Sequence, residues 1–277
     1  AARSHRRRRT GCRCGADRGV WCGHSASSTE LLHLIYSQLA RARRRYYQRR
    51  PHLRRRLAAP VISIGNLTVG GSGKTPLAAE IARMLIAMGE RPAILSRGYA
   101  RRKPSEGVVV VSDGTQMLAD EAQSGDEPFM LARMVPKASV LVSSSRYLAG
   151  RVAESRLGST VHILDDGFQH FDLLRDIDLL VAPETSDGER TLPFGRLREP
   201  LDAASAADAL LVGPVGAAAG RFDVPTVFEF SRRIGGPAAD RPAFAFAGIA
   251  KPERFYGDLE AAGWQLPRPP ADRMPVL

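Results

Sequence analysis

The run PVISIGNLTVGGSGKTP at residues 60–76 decides the fold class of this chain. Its first half is apolar and rich in β-branched residues, which predicts a strand, and a glycine-rich turn follows directly. Gly70, Gly71 and Gly73 let backbone N–H groups converge on phosphate oxygens, because no Cβ blocks their close approach. A helix that starts at this turn adds the partial positive charge of its N-terminus. The stretch therefore predicts a phosphate-binding loop between a strand and a helix.

The end of this loop carries the two side chains that nucleotide chemistry needs. Lys74 is placed to reach the β- and γ-phosphates, and the hydroxyl of Thr75 is placed to coordinate Mg²⁺. The strict pattern G-x-x-x-x-G-K-[ST] requires glycine where Thr68 stands. Because strand, glycine turn and lysine still follow in order, we expect the phosphates of a nucleotide to bind here. The predicted nucleotide contacts are Gly70, Gly71, Ser72, Gly73, Lys74 and Thr75.

Outside this loop, short apolar runs recur at the spacing of a strand–helix repeat. Predicted strands cover residues 61–64, 93–95, 108–111, 140–142, 161–164, 177–181, 209–212 and 226–230, with a further one at 243–249. Helical stretches, such as residues 76–88 and 127–134, lie between several of them. This alternation is typical of a mostly parallel sheet with helices on both faces. We predict a P-loop NTPase-like α/β core at residues 58–234, and the start of a smaller second α/β lobe at residues 235–277.

A second informative run, VHILDDGFQH at residues 161–170, places two acids at the end of a predicted strand. The carboxyl ends of parallel strands lie at one edge of the sheet, so Asp165 and Asp166 are expected beside the phosphate-binding loop. Carboxylates in this position hold Mg²⁺ in nucleotide-binding enzymes. We therefore predict a metal site formed by Thr75, Asp165 and Asp166, although Asp-Asp-Gly by itself equally suits a turn.

Other polar residues leave two interpretations open. Asp126, in the run GDEP before a predicted helix, serves either as an N-terminal cap or as a carboxylate that accepts a hydroxyl proton. Arg146 follows a predicted strand, and Arg198 and Glu199 lie in a loop flanked by glycine and proline. These three either bind phosphate or sugar, or they form surface salt bridges.

The net charge of +11 is concentrated at the N-terminus. Residues 1–57 contain 16 arginines but only two acidic residues, so the rest of the chain is slightly acidic. Such an arm suggests an anionic partner, either a membrane or a nucleic acid. We predict a disordered basic arm at residues 1–28 and an amphipathic helix at residues 29–57 that lies on an anionic membrane leaflet. An ordinary surface helix is the alternative.

All three cysteines, Cys12, Cys14 and Cys22, lie in the arm. Their spacing does not match a zinc site, so reduced thiols are the simpler interpretation. The body of the chain has no cysteine, which suits a reducing cytosol. No secretory signal is expected, and the most apolar N-terminal run, residues 31–40, is too short to span a bilayer.

Seven segments together resemble the tetraacyldisaccharide 4'-kinase (lipid A 4'-kinase) family. Between residues 65 and 255 they are GNLTVGGSGKTP, SRGYAR, GDEP, LDDGFQH, RDIDLLV, LPFGRLREP and FAGIAKPERF. The resemblance implies transfer of the γ-phosphate of ATP to the 4'-hydroxyl of tetraacyldisaccharide 1-phosphate, with Mg²⁺, to form lipid IVA. It also implies an N-terminal helix bound to the cytoplasmic face of the bacterial inner membrane.

The resemblance further implies roles for residues at matching positions. Asp126 would accept the proton of the attacking hydroxyl, with Lys74 and Asp166 as the other catalytic residues. Substrate or nucleotide geometry would be supported by Glu127, Arg146, Gln169, His170, Arg198 and Glu199. The family's D-H-H segment, whose histidine is implied to assist the catalytic aspartate, and its T-E-K-D segment are not found in the sequence. We therefore expect a truncation or frame change near Asp272, an incomplete second lobe and weak or absent activity of this polypeptide.

Two other functions are alternatives. Another P-loop kinase or NTPase, acting on a soluble substrate, would share the same loop, although the N-K-x-D run of guanine-nucleotide proteins is not found. A nucleic-acid-binding P-loop protein would use the arginine-rich arm. That arm matches no recognised nucleic-acid-binding module, so no nucleic-acid partner is expected.

Overall fold

The computed structural model describes residues 28–70, 73–98, 101, 107–183, 189–213, 222–231, 243–247 and 252–266. Its strands are β1 Val61–Asn66, β2 Pro92–Ser96, β3 Val109–Asp113, β4 Ser139–Val142, β5 Val161–Asp165, β6 Ile177–Val181, β7 Ala209–Val212 and β8 Val227–Glu229. Its α-helices are α1 Ser28–Gln48, α2 Lys74–Ala87, α3 Glu121–Ser124, α4 Asp126–Met134, α5 Arg146–Leu157 and α6 Pro252–Ala261. Short 3₁₀ helices cover Pro51–Leu53 and Leu201–Ala206.

The strands form one eight-stranded sheet in the order β3-β4-β2-β5-β1-β6-β7-β8. All neighbouring pairs are parallel except β3 and β4, which are antiparallel at one edge. Every residue of β2 and of β5 is buried, as expected for central strands that are covered on both faces. The mostly parallel sheet predicted from the apolar runs is confirmed, with strand ends within two residues of those expected.

Helices cover both faces of this sheet. On one face, alanines of α2 and Leu131 of α4 pack against Ile64 and Ile94. On the other face, Ala149 and Ala153 of α5 pack against apolar side chains of β2, β4 and β5. The prediction of helices on both faces is confirmed. Because the faces are filled, the carboxyl edge of the sheet is where polar side chains can meet a ligand.

The neighbouring strands β1 and β5 bring two segments to this edge. Ile64 pairs with Asp165, so the chain leaves both strands at the same level. Gly65 permits the close approach of the two exits, because a Cβ at this position would overlap the Cβ of Phe168. The glycine-rich loop after β1 and the acidic turn after β5 therefore start side by side.

Helix α1 lies within the region of the predicted N-terminal helix but is shorter than residues 29–57. It ends at Gln48, and a 3₁₀ helix begins at Pro51. Proline lacks a backbone N–H and disfavours helical geometry at the residue before it, which explains the stop. Within the described part of the chain, no helix combines the length and the apolar character needed to cross a membrane. The predicted basic arm before Ser28 lies outside the described residues.

The strand predicted at residues 243–249 is not formed over its described part, residues 243–247. The N–H of Ala243 donates to the carbonyl of Gln265, while Phe244 and Phe246 are 83% and 91% exposed. The alternating apolar pattern predicted a strand, but a strand needs a continuous hydrogen-bonded neighbour, and none pairs with this stretch among the described residues. The second lobe stays a prediction.

Candidate active site

The phosphate-binding loop joins β1 to α2. Gly70 and Gly73 have φ angles of 104° and 78°, which a residue with a Cβ adopts only with strain. Gly71 and Ser72 lie outside the described residues. Helix α2 begins at Lys74, and its N-cap residue, Gly73, has no side chain that could cap the first turn. A helix N-terminus of this kind suits phosphate oxygens, and Thr75 lies in the same first turn.

Lys74 contacts both strand exits. Its Nζ donates to Asn66 Oδ1 at 2.9 Å and lies 3.4 Å from Asp166 Oδ1. Asn66 is the buried last residue of β1, and its Nδ2 donates to Thr68 Oγ1 at 3.1 Å. The threonine that replaces the expected glycine thus completes a hydrogen-bonded chain that fixes the lysine. The loop lysine and the acid pair meet in space, as the sequence predicts.

Asp165 and Asp166 have different environments although they are adjacent. Asp165 ends β5 and is only 3% exposed. Asp166 has a φ angle of 55° and is the single non-glycine residue with positive φ in the described part of the chain. Such an angle is unfavourable for an L residue, and aspartate tolerates it better than most. It directs the Asp166 carboxylate to Lys74 and to Arg198, whose NH1 lies 2.6 Å from Oδ2.

The two carboxyl groups also differ in pKa. Burial, together with the negative charges of Glu127 and Asp166, raises the pKa of Asp165 to about 7. Burial would raise the pKa of Asp166 as well, but the positive charges of Lys74 and Arg198 outweigh it and lower that pKa. Asp166 is therefore ionised at neutral pH, whereas Asp165 needs a further cation to be fully ionised there.

These oxygens fit a magnesium ion. Asp166 Oδ1 is buried and lies 3.4 Å from Lys74 Nζ, a contact that leaves a lone pair of this oxygen for a metal ion. In the described part of the chain, no three His, Cys, Asp or Glu side chains group as a metal site. Magnesium commonly takes one or two carboxylates and completes its shell with water and phosphate oxygens. Thr75, Asp165 and Asp166 offer oxygen donors of this kind, and their role as ligands of a metal that arrives with a nucleotide stays a prediction.

Several cations surround the acid pair. Arg146, the first residue of α5, is buried, and this burial together with the positive charge of Arg97 lowers its pKa to about 10. It therefore remains charged at neutral pH. Burial and the nearby charge of Arg146 lower the pKa of His170 to about 4, so His170 is neutral. Arg97 was not among the predicted site residues; its signal is its place directly after β2, in the run SRGYAR.

Gln169 connects the two halves of the site. Its Nε2 donates to the carbonyl of Asn66 at 3.0 Å, and its Oε1 accepts from Arg198 NH1 at 3.5 Å. It therefore links the exit of β1 to the arginine that binds Asp166. Asn66, like Arg97, was not predicted as a site residue, since a buried asparagine at the end of a strand has no distinctive sequence signal.

Asp126 and Glu127 begin helix α4 and are exposed. The N-terminal cap of α4 is Gly125, and Asp126 lies inside the first turn without capping it. Of the two interpretations of Asp126, the structure thus excludes its role as the N-terminal cap of α4. Glu127 is near enough to Asp165 that its charge raises the pKa of that residue. The start of α4 therefore belongs to the same edge as the acid pair.

Glu199 is placed differently from the prediction that it contacts substrate. Its carboxylate accepts hydrogen bonds from Arg44 of α1 at 2.7 and 2.8 Å, and the residue is 3% exposed. It is therefore engaged by the N-terminal helix. Its neighbour Arg198 contacts Asp166 and so lies at the candidate site, while its role toward substrate stays a prediction.

A family model described as tetraacyldisaccharide-1-P 4'-kinase (LpxK) matches residues 27–271. The chain belongs to this family. The tetraacyldisaccharide 4'-kinase of Geobacter sulfurreducens is 44% identical over 251 residues, which cover 84% of this chain and 70% of the relative. That of Pelobacter propionicus is 39% identical over 251 residues, covering 84% and 69%. A crystal structure of LpxK from Aquifex aeolicus in complex with ATP superposes with a TM-score of 0.75 at 34% identity, covering 87% of this chain and 79% of that chain.

The tetraacyldisaccharide 4'-kinase family and its P-loop kinase fold were both predicted from the sequence, and both are confirmed. The chain is accordingly a kinase of the lipid A precursor, and the family name states the reaction: phosphorylation of the 4' position of tetraacyldisaccharide 1-phosphate. The roles of individual residues are not fixed by family membership. They stay predictions that the geometry above makes testable.

For the metal-free kinase, we expect Asp165→Asn to increase stability at alkaline pH. Because the pKa of Asp165 is raised in the folded state, stability falls as the pH rises from about 4 to about 7. The amide removes this loss, so the free energy of unfolding at pH 8 should rise by about 1–3 kcal/mol. Urea denaturation in EDTA at pH 8 and pH 4 measures it. An equal difference between variant and parent at both pH values would contradict the titration of Asp165.

Proposed function

We propose that this kinase transfers the γ-phosphoryl group of ATP at the carboxyl edge of its sheet, with Lys74, Asp126 and Asp166 as catalytic residues. The observation that carries the proposal is the contact between Lys74 and Asp166, which joins the phosphate-binding loop to the acid pair. The Aquifex aeolicus structure of similar fold was solved with ATP. This supports ATP as the nucleotide that the loop between β1 and α2 takes.

Positive charge on the transferring group is the main contribution of the chain. Phosphoryl transfer depends on positioning and on electrostatic stabilisation more than on covalent steps by the protein. Lys74 binds the β- and γ-phosphate oxygens, and Arg198 and Arg146 face the same region with buried or half-buried guanidinium groups. Magnesium held by Thr75, Asp165 and Asp166 would neutralise further phosphate charge.

Asp126 is the proposed base. Its carboxylate accepts the proton of the 4'-hydroxyl while the hydroxyl oxygen forms its bond to the γ-phosphorus. The bond between that phosphorus and the oxygen bridging to the β-phosphate breaks, and ADP leaves with the electron pair. Asp126 suits this role because it is exposed at the start of α4 and caps no N–H group, so its carboxylate is open to an incoming substrate.

Helix α1 is proposed to hold the kinase on the cytoplasmic face of the bacterial inner membrane. Its two sides differ: His33, Tyr36, Ser37 and Arg44 face the protein, where each makes a hydrogen bond. The opposite side carries apolar side chains that are about half exposed, namely Leu31, Leu32, Leu34, Ile35 and Leu39. An apolar face of this kind can enter the headgroup region of a bilayer, where a lipid substrate resides.

We expect Leu32→Ser combined with Ile35→Ser to weaken binding to anionic lipid vesicles by at least about tenfold, because two apolar side chains would lose burial in the bilayer. Sedimentation with vesicles of phosphatidylglycerol and phosphatidylethanolamine measures the change. Met84→Ser combined with Met88→Ser is the matched control, since both methionines are exposed but lie outside α1. If both pairs weakened vesicle binding equally, the assignment of α1 as the membrane contact would be wrong.

A substrate comparison tests the proposed reaction. The purified protein is incubated in detergent micelles with γ-labelled ATP and Mg²⁺, and with either tetraacyldisaccharide 1-phosphate or its 4'-deoxy analogue. Label should enter only the lipid that has a 4'-hydroxyl. Labelling of the deoxy analogue, or of a soluble disaccharide at an equal rate, would refute the proposal. Calorimetric titration with ATP, with and without Mg²⁺, tests the nucleotide site independently of turnover.

A further inference from the structure

Helix α1 is fixed to one particular loop of the kinase core, residues 190–202. Thr191 Oγ1 lies 2.8 Å from His33 Nδ1 and 2.9 Å from Ser37 Oγ. The hydroxyl of Tyr36 donates to the carbonyl of Arg198 at 3.2 Å. The side of α1 that faces the protein therefore follows this loop from its beginning to the residue that contacts Asp166.

The strongest of these links is Arg44. Its Nε and NH2 donate to the two oxygens of Glu199 at 2.7 and 2.8 Å, so the pair is bidentate. The guanidinium also lies over the rings of Phe168 and Phe171, at 4.3 and 4.9 Å from their centres. Arg44 is only 7% exposed, so this charge has left water and depends on these partners.

Two of the partners of Arg44, Glu199 and Phe168, adjoin the Asp166–Arg198 pair. Glu199 follows Arg198 directly, and Phe168 lies two residues after Asp166. The 190–202 loop is also joined to the phosphate-binding loop, because the N–H of Arg198 donates to the carbonyl of Leu67 at 2.6 Å. One side chain of the N-terminal helix thus contacts both segments that carry the Asp166–Arg198 ion pair.

We propose that Arg44 is a positioning residue that sets the geometry of the Asp166–Arg198 pair and so couples helix α1 to the catalytic edge. It acts through Glu199 on Arg198 and through Phe168 on the turn that carries Asp166. The inference rests on the proposed function, in which Asp166 and Arg198 serve phosphoryl transfer. It adds that the helix proposed to contact the membrane also fixes groups at the site of chemistry.

Lysine cannot replace arginine at this position without loss. A guanidinium forms two parallel hydrogen bonds to one carboxylate and stacks on rings, whereas an ammonium is a point charge without a plane. Arg44→Lys keeps the charge and the helix propensity but removes the fork. It is therefore the variant that tests geometry with the least disturbance of the fold.

The test compares Arg44→Lys and Glu199→Gln with Arg151→Lys, which makes the same change at an exposed ion pair on α5. Misplaced catalytic groups cost up to about 100-fold in rate, so we expect both test variants to lower kcat by about 10- to 100-fold. The KM values for ATP and for lipid should change less than about threefold. Arg151→Lys should match the parent. Thermal melting identifies any variant that fails to fold.

Two measurements separate positioning from a purely structural role. If Arg44 acts through Arg198, then Arg44→Lys should reduce kcat little further in an Arg198→Lys background. Amide exchange at residues 196–199, followed with ATP bound and without turnover, should quicken in Arg44→Lys and not in Arg151→Lys. If the kcat losses of Arg44→Lys and Arg198→Lys multiplied in the double variant, the inference would be overturned. It would also be overturned if Arg44→Lys changed neither the amide exchange at residues 196–199 nor kcat. If Arg198→Lys alone left kcat intact, the proposed function itself would be at fault.

Discussion

Lys74→Ala is expected to lower kcat/KM for the lipid substrate by about 10²–10³-fold, the usual cost of removing one preorganised charge from a transition state. Lys74 donates a hydrogen bond to Asn66 and forms an ion pair with Asp166. It is also the cation that the loop directs at the phosphates. Its loss removes positive charge from the transferring group and one of the two cations beside Asp166. Steady-state rates at saturating ATP and varied lipid measure the change.

The control for Lys74→Ala is Arg83→Ala on the same helix. Arg83 forms an exposed ion pair with Glu80 and lies more than two helical turns from the loop. Exposed pairs of this kind contribute little to stability, so this variant should keep parent kinetics. A fall in kcat/KM of less than about fivefold for Lys74→Ala would remove the lysine from the catalytic residues.

Asp126→Asn should lower kcat by about 10²–10⁴-fold while leaving ATP binding intact, since general-base catalysis contributes that much. The amide occupies the same volume but cannot accept the proton of the 4'-hydroxyl. Asp126 caps no N–H group of α4, so the substitution should not loosen that helix. Single-turnover kinetics give the rate of the chemical step, and a calorimetric titration gives the ATP affinity.

Glu121→Gln is the matched control for Asp126→Asn. Glu121 is an exposed acid in the first turn of the neighbouring short helix α3, so the change in charge and size is similar. We expect its kcat to equal that of the parent. Should Asp126→Asn retain more than a third of the parent kcat, another group must accept the hydroxyl proton.

The elements that could be predicted from the sequence are those whose signals lie in one short, continuous run of residues. The β-branched run ending at Asn66 and the run ending at Asp165 are continuous and buried, so each predicts a central strand by itself. Parallel strands release their chains at one edge, which predicts the meeting of Lys74 with Asp166 without any knowledge of distances. The family resemblance was equally local, because it rests on short segments in order.

Features that depend on contacts between residues far apart in the chain could not be predicted from the sequence. Helix α5 buries Ala149, Gly150 and Ala153, small residues that give no clear apolar pattern. The resemblance implies that Glu199 supports substrate or nucleotide geometry, but nothing in LPFGRLREP indicates its buried partner Arg44, 155 residues away on α1. Asn66 ends β1 and Arg97 directly follows β2, and residue type alone does not mark such positions.

The backbone angle of Asp166 restricts which replacements position 166 can accept. Glycine would relieve the backbone but bring no charge to Lys74 and Arg198. Glutamate would keep the charge, yet its longer side chain cannot hydrogen-bond locally to support the angle as aspartate does. Asparagine tolerates the angle and is neutral. Each of these substitutions therefore loses either the support for the positive φ angle or the negative charge. Among active clones of a mutant library at this codon, almost all should encode aspartate.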